Sequence, residues 1–431
     1  MADLRPNRRE DFTVAIICAL PLEYNAVSLL FDKFWDEDGD HYGRAAGDPN
    51  SYTTGRIGKY DVVLALLPHM GKVNAASSAA SIRSSYGGLQ LALLVGICGG
   101  VPRSGMGSEE EILLSDVVIS KTVVQYDLGK RYPDKFLRKN TVEDNLSKPN
   151  KDVRNLLVTF ETDLGLDRLQ QSTAKYLKQL QANAAQRKRG GKYQYPGTVE
   201  DKLFASSYRH KHQSLPNCVC RDCHKKSDPV CDEALKSVCD ELGCDKKYLV
   251  ARERLQTKQP LERDNKDEVQ EPAIWIGSVA SGDTVMKSGE DRDEIARNEG
   301  VIAFEMEGAG VWEEVPCIVV KGVCDYADSH KSDKWQNFAA ATAASASKAI
   351  LERYIRTDRV RILESAVSGR ESITQGGSKY SSDVKGRDVT QGNQLQVSTP
   401  QVPRDYTQGG SEFGGNIQGE ASVVQGNKFT I

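Results

Sequence analysis

No excess of either charge marks this chain: 57 Lys and Arg stand against 60 Asp and Glu, a net of −3 over 431 residues. That balance removes the electrostatic case for a dedicated nucleic-acid binder or a protein held on an anionic membrane, because both need a strongly basic surface. Long apolar runs are missing too. No stretch approaches the ~18 apolar residues of a membrane span, and the opening MADLRPNRREDF has charges where a signal peptide needs its apolar segment. An intracellular, cytoplasmic protein is expected. Ten cysteines over this length do not make a disulfide scaffold. Cys18, Cys98, Cys317 and Cys324 sit in apolar runs, where a reduced thiol behaves as a small hydrophobe, and the other six crowd between Cys218 and Cys244. Function must therefore come from local sites.

What is present is alternation. TVAIICAL at 13–20 is continuously apolar and ends at Pro21, the pattern of a strand buried on both faces followed by a helix with proline in its first turn. Residues 60–67 and 89–95 repeat it, followed by glycines and small residues such as GKVNAASSAASI, and 116–124, 273–279 and 315–323 add three more β-rich runs. Six such strands between helical stretches predict an α/β domain with a largely buried central sheet, closed by an Ala-rich helix at 335–354. The texture turns polar in an insertion at about 133–271, with helical periodicity near 153–166 and 177–180. Its basic RKRGGK at 187–192 reads as a solvated loop. The division is a tail at 1–11, a domain at 12–357 and a Gly/Gln-rich tail at 358–431. In that last segment Gln375, Gln391, Gln408 and Gln425 recur in ITQGG, VTQGN, YTQGG and VVQGN, at spacings of 16, 17 and 17. Two readings stay open there: a strand–arc repeat that ladders glutamines and turns at glycine, or a disordered low-complexity tail.

Carboxylates recur where buried strands begin or end, the place where α/β sheets collect functional groups. They are Glu23 in ALPLEYNAV, Glu305 and Glu307 flanking Met306 in AFEMEGAG, and Asp325 with Asp328 in GVCDYADSH. Beside them lie two glycine-rich segments expected to be turns, GICGGVP at 96–102, with Ile97, Gly99 and Gly100, and the SGD of Ser281 to Asp283. GICGG lacks both the spacing of a dinucleotide fingerprint and the Lys-Ser/Thr end of a P-loop. Taken singly, each carboxylate is more often a helix cap or a surface group.

Taken in order, AFEMEGAG, then CDYADSH, with SGD upstream and ALPLE at the first strand, resemble the nucleoside phosphorylase and nucleosidase superfamily over 12–132 and 272–356. The GICGGVP and CDYADSHK wording, and DKLFASSYRH in the insertion, are similar to the phosphorylase-like effector domains of fungal immune-receptor-like proteins. The resemblance implies a three-layer α/β fold with a central mixed sheet flanked by helices, a homo-oligomer, and no cofactor beyond phosphate as a co-substrate if the reaction is phosphorolytic. It also implies a small-molecule purine nucleoside or nucleotide as partner.

Cleaving a purine N-riboside requires an acid at the leaving base, a grip on the sugar diol and a positioned attacking oxygen. By resemblance Asp325 is the acid, expected to hold its proton because an apolar run precedes it. Glu307 binds the ribose hydroxyls, Met306 packs on the sugar, and Glu305, Ser281, Asp283, Ile97, Gly99 and Gly100 complete the substrate site. Glu23 matches the glutamate that activates water in the hydrolase branch. The arginine and serine of hexameric phosphorylases correspond here to Leu94 and Ile97, which hold no phosphate, so hydrolysis is favoured, with Arg103 or Lys72 left as alternative anion sites. For a nucleotide such as ATP, Lys121, Lys130, Arg131 and Lys135 are candidate phosphate partners, or simply a solvated face. The competing reading is a recognition or scaffolding module that keeps the fold without turnover. A C-terminal tail that self-assembles or receives a receptor-like partner fits the general plan of fungal amyloid-signalling effectors. Finally, Cys218, Cys220, Cys223 and His224 form CxCxxCH, with Cys231, Cys239 and Cys244 beyond, enough thiolate and imidazole ligands for a structural zinc; without a second CxxC the expectation is free cysteines and no metal, with the zinc site as the alternative reading.

Overall fold

The computed structural model describes residues 5–37, 39, 41–103 and 110–355, with six short strands between 372 and 425. The chain divides into two units, Met1–Ile355 and Arg356–Ile431.

In the first unit, β1 (Val14–Cys18) is buried at every position, and Pro21 opens α1 (Pro21–Ser28). There follow β2 (Lys33–Phe34), β3 (Tyr52–Ile57), β4 (Tyr60–Leu66), α2 (Lys72–Ser85), β5 (Leu91–Gly100) and β6 (Val117–Gln125). A hairpin of β7 (Gly129–Arg131) and β8 (Phe136–Arg138) leads to α3 (Lys151–Phe160), α4 (Asp163–Gln186), the short α5 (Cys239–Leu242) and α6 (Glu253–Arg263). The sheet resumes with β9 (Ile274–Ser281), α7 (Gly289–Glu299), β10 (Val301–Glu305), α8 (Gly308–Val311), β11 (Cys317–Asp325) and α9 (Gln336–Arg353).

Among the described residues nine strands form one mixed sheet, ordered β10-β9-β6-β11-β5-β1-β4-β3-β2, and β10 pairs again with β5. This second pairing closes β5, β11, β6, β9 and β10 into a barrel, which leaves those strands no free edge. Strands β1, β5 and β11 run parallel, so their C-terminal ends gather on one side. Apolar cores fill both faces of the sheet, one under α1, α4 and α9 and one under α2 and α8. Alanines let α9 lie close: a Cβ on Gly322 of β11 would come within 2.0 Å of the Ala339 carbonyl oxygen. Helices α3 and α4 of the insertion pack into the first core, and the RKRGGK stretch is exposed apart from Gly190. No helix among the described residues is long and apolar enough to cross a membrane.

The mixed, buried sheet flanked by helices is the expected fold class, but GICGG is not a turn. Residues 96–100 are the second half of β5, paired with β11 and β10. Their glycines serve close approach: a Cβ on Gly96 would lie 2.1 Å from Glu23 Oε1, and one on Gly100 would lie 2.6 Å from Val323 Cγ1.

The second unit holds β12 (Ser372–Gly376), β13 (Val384–Lys385), β14 (Val389–Gln391), β15 (Asp405–Gly409), β16 (Ile417–Gln418) and β17 (Val423–Gln425). All pair in parallel. Gln375 stands opposite Gln408, Gln408 opposite Gln391, and Gln391 opposite Gln425, so the repeat glutamines occupy one register position. Ser372 also pairs with Asp405, Val384 with Ile417 and Val389 with Val423, offsets of 33, 33 and 34 residues. The four glutamine strands form one sheet in the order β12-β15-β14-β17, and β13 pairs with β16 in a separate two-stranded sheet. The arcs between these strands lie outside the described residues.

Candidate active site

Glu23 is the third residue of α1 and caps that helix from within. Its Oε2 accepts from the backbone N–H groups of Ala19 (2.8 Å) and Leu20 (2.9 Å), and its Oε1 accepts from Ile97 N–H (2.8 Å) across the β5 strand. The absent side chain at Gly96 makes the room. Burial pushes the Glu23 carboxyl above its usual range, while the ammonium of Lys321 pulls the other way. Three of the roughly four acceptor sites of a carboxylate are filled, which leaves about one for a further donor.

Glu305 closes β10 and anchors the following turn. Its carboxylate accepts from Glu307 N–H (2.9 Å) and, through both oxygens, from Gly308 N–H (3.0 and 2.8 Å). Burial raises this carboxyl as well. Glu307 accepts from Lys321 Nζ at 3.0 Å and from Gly71 N–H, at the start of α2, at 3.4 Å. Lys321 is 1% exposed and also lies 3.9 Å from Glu305 Oε2. Burial disfavours its charge, yet the carboxylates of Glu307, Glu23 and Glu305 together hold its proton more tightly than usual.

Asp325 ends β11. Its Oδ1 accepts from Ala327 N–H (2.8 Å), and its Oδ2 takes a 3.0 Å hydrogen bond from Lys331 Nζ. The isolated, desolvated acid expected from the apolar run is therefore an ion pair, and that same partner raises the Lys331 ammonium against its burial.

These groups converge. Glu23, Ile97, Gly99, Glu305, Met306, Glu307 and Asp325 all line one cavity of 380 Å³, with Met70, Met286, Phe304 and Lys331 among its other walls. Three expected substrate contacts are elsewhere. Gly100 packs against β11. Ser281 is fully buried and its Oγ accepts from Ala309 N–H at 2.9 Å, fixing the start of α8. Asp283 accepts from Lys72 N–H at 2.9 Å, outside the cavity lining. Lys72, an alternative anion site, is held by Asp127 at 2.6 Å and Asp283 at 3.5 Å. Lys130, Arg131 and Lys135 are exposed on and beside the β7–β8 hairpin, and Lys121 pairs with Glu161. Lys321 and Lys331 went unread in the sequence. The first had a signal, a lone lysine in a nine-residue strand buried at every position.

The sequence profile of the Phosphorylase superfamily matches residues 13–185 and 224–356. The chain belongs to this superfamily. A nucleotide-binding leucine-rich repeat (NLR)-like protein of Hyaloscypha variabilis is 29% identical over 348 residues, 79% of this chain. The chain spans 29% of that relative's length. Among solved structures, the superfamily chain is similar to futalosine hydrolase of Helicobacter pylori, with 14% identity, TM-score 0.42 and coverage of 79% and 98% of the two chains. It is likewise similar to a 5′-methylthioadenosine/S-adenosylhomocysteine nucleosidase from S. pneumoniae, with 16% identity, TM-score 0.43 and coverage of 79% and 99%.

Proposed function

We propose that this protein hydrolyses the N-glycosidic bond of a purine nucleoside or nucleotide, with residues 12–357 as the catalytic domain. The observation that carries the proposal is the meeting of Glu23, Glu307 and the Asp325–Lys331 pair in one cavity. In the reaction, a water bound at the remaining acceptor site of Glu23 gives its proton to that carboxylate, and its oxygen bonds to C1′ as the C1′–N bond breaks. The bonding electrons leave with the base, which takes at N7 a proton passed from the Lys331 ammonium through the Asp325 carboxylate it is bonded to. Glu307, fixed by Lys321, accepts from the ribose hydroxyls, and Met306 packs on the sugar.

Hydrolysis rather than phosphorolysis is supported by charge. Among the described residues Lys331 is the cation lining the cavity, and it is already paired with Asp325. The similarity to part of an NLR-like protein, together with the glutamine register of the second unit, supports an effector role in which residues 358–431 receive or propagate a signal by self-assembly. Incubation with adenosine, inosine and ATP, with and without phosphate, should release free base without phosphate, and Asp325→Asn should abolish the release. No base from any of them would favour a scaffold that keeps the fold alone.

A further inference from the structure

The insertion between α4 and α6 has little to hold it. From 206 to 248 its apolar cluster is Cys220, Ala234 and Leu242, with Cys223 also buried, and its helices are the single turn of α5 and two short 3-10 turns. So small a core does not ordinarily fix a loop-rich segment without a covalent or metal staple.

We infer that this segment binds two zinc ions. The first site is His212, Cys218, Cys220 and Cys231, whose ligand atoms all lie within 4.8 Å of one another. His212 Nδ1 is 3.7 Å from Cys218 Sγ and 3.4 Å from Cys231 Sγ, and Cys220 Sγ is 3.7 Å from Cys231 Sγ. A tetrahedral zinc with its usual bond lengths has edges of about 3.8 Å between sulfurs and about 3.6 Å between sulfur and nitrogen. The observed separations are those edges. They are far from the ~2.05 Å of a disulfide, and every cysteine is free.

The second site is His210, Cys239 and Cys244, with His210 Nδ1 3.8 Å from Cys239 Sγ and 3.7 Å from Cys244 Sγ. His210 Nε2 lies 2.9 Å from the Ser237 carbonyl oxygen. A carbonyl accepts only from N–H, so Nε2 carries the proton and Nδ1 turns its lone pair to the thiols. This is the outer hydrogen bond that orients metal-bound histidines. Three protein ligands leave a fourth position for water.

His210 and His212 stand two residues apart, one serving each site, so a single backbone segment ties the two ions together. Cys223 and His224, which the CxCxxCH spacing suggested, take no part. Cys223 Sγ accepts from Arg209 Nε at 3.4 Å, and His224 is exposed. Thiolate and imidazole ligands in tetrahedral arrangement favour zinc over harder cations. The second site also abuts the loop after Asp325: the His330 ring packs edge-on against His210 at 5.0 Å, and Cys239 Sγ is 3.8 Å from the His330 carbonyl oxygen.

Metal analysis of the full chain purified without chelator tests this. About two zinc per chain are expected, released in step with titration of the thiols by an organomercurial. Chelation should lower the melting temperature, and zinc should restore it. Cys231→Ser and His210→Ala should each remove one equivalent. Because these variants can unfold, cobalt substitution of the wild-type chain gives a second reading, tetrahedral visible bands with sulfur-to-cobalt charge transfer. Substoichiometric zinc with freely reactive thiols, or a mass loss showing disulfides among these cysteines, would overturn the inference. One zinc, unchanged by His210→Ala, would overturn the second site.

Discussion

At Lys321 an ammonium stands within β11, a strand otherwise apolar up to its closing Asp325, with Glu307 at 3.0 Å and Glu305 at 3.9 Å. Removing one partner of a buried pair strands the other's charge, so Lys321→Met should destabilise the protein by about 3–5 kcal/mol, measured by urea unfolding. Glu23 gives a pH prediction. Burial raises its carboxyl, so it takes up a proton sooner on acidification than an exposed glutamate does, and the proposed base is lost in that form. The acid limb of kcat/KM should therefore fall at a pH above ~4.3, the ordinary glutamate value. Glu23→Gln should lower kcat by about 10²–10⁴-fold with the fold retained. Glu23, Glu307 and Asp325 stand out as carboxylates next to apolar strands, their proposed roles come from the resemblance, and all three line one cavity. Lys321 had only the signal of one charge in a long apolar run, which the run's hydrophobicity masks, and Lys331 had none, since pairing across a loop leaves no spacing rule.

Among the elements, β5 shows where sequence patterning misleads. Glycines that read as punctuation are the second half of a strand, because a barrel that brings β11, β10 and a buried carboxylate against one backbone needs positions without Cβ. Gly96→Ala should therefore act on chemistry. The new methyl would occupy the place of Glu23 Oε1, and a shift of about 1 Å in the proposed base costs on the order of 10²-fold in kcat. Steady-state kinetics beside a melting curve separates this from simple unfolding. The strands of continuous apolar sequence and the Ala-rich α9 were readable. β3 and β10 were not: YTTGRI is half polar, and VIAFE is short and was absorbed into the motif that follows it. The insertion's helices showed their periodicity, whereas its ligand sets are drawn from residues up to 34 positions apart, as from His210 to Cys244.

For the molecule as a whole, the division into Met1–Ile355 and Arg356–Ile431 separates the cavity from the paired repeats. The 16- and 17-residue spacing of glutamines was visible, but the strand order was not: β15 lies between β12 and β14, paired at offsets of 33 and 17 residues, and spacing alone does not give that order. Proline removes a ladder N–H, so Gln391→Pro should abolish thioflavin-positive assembly of the full chain while base release stays within about twofold. The most direct test of the whole account is the identity of the sugar released from a purine nucleoside in millimolar phosphate, read by mass spectrometry. The account predicts free ribose with the base, at a rate independent of phosphate; ribose 1-phosphate, and no turnover without phosphate, would contradict it.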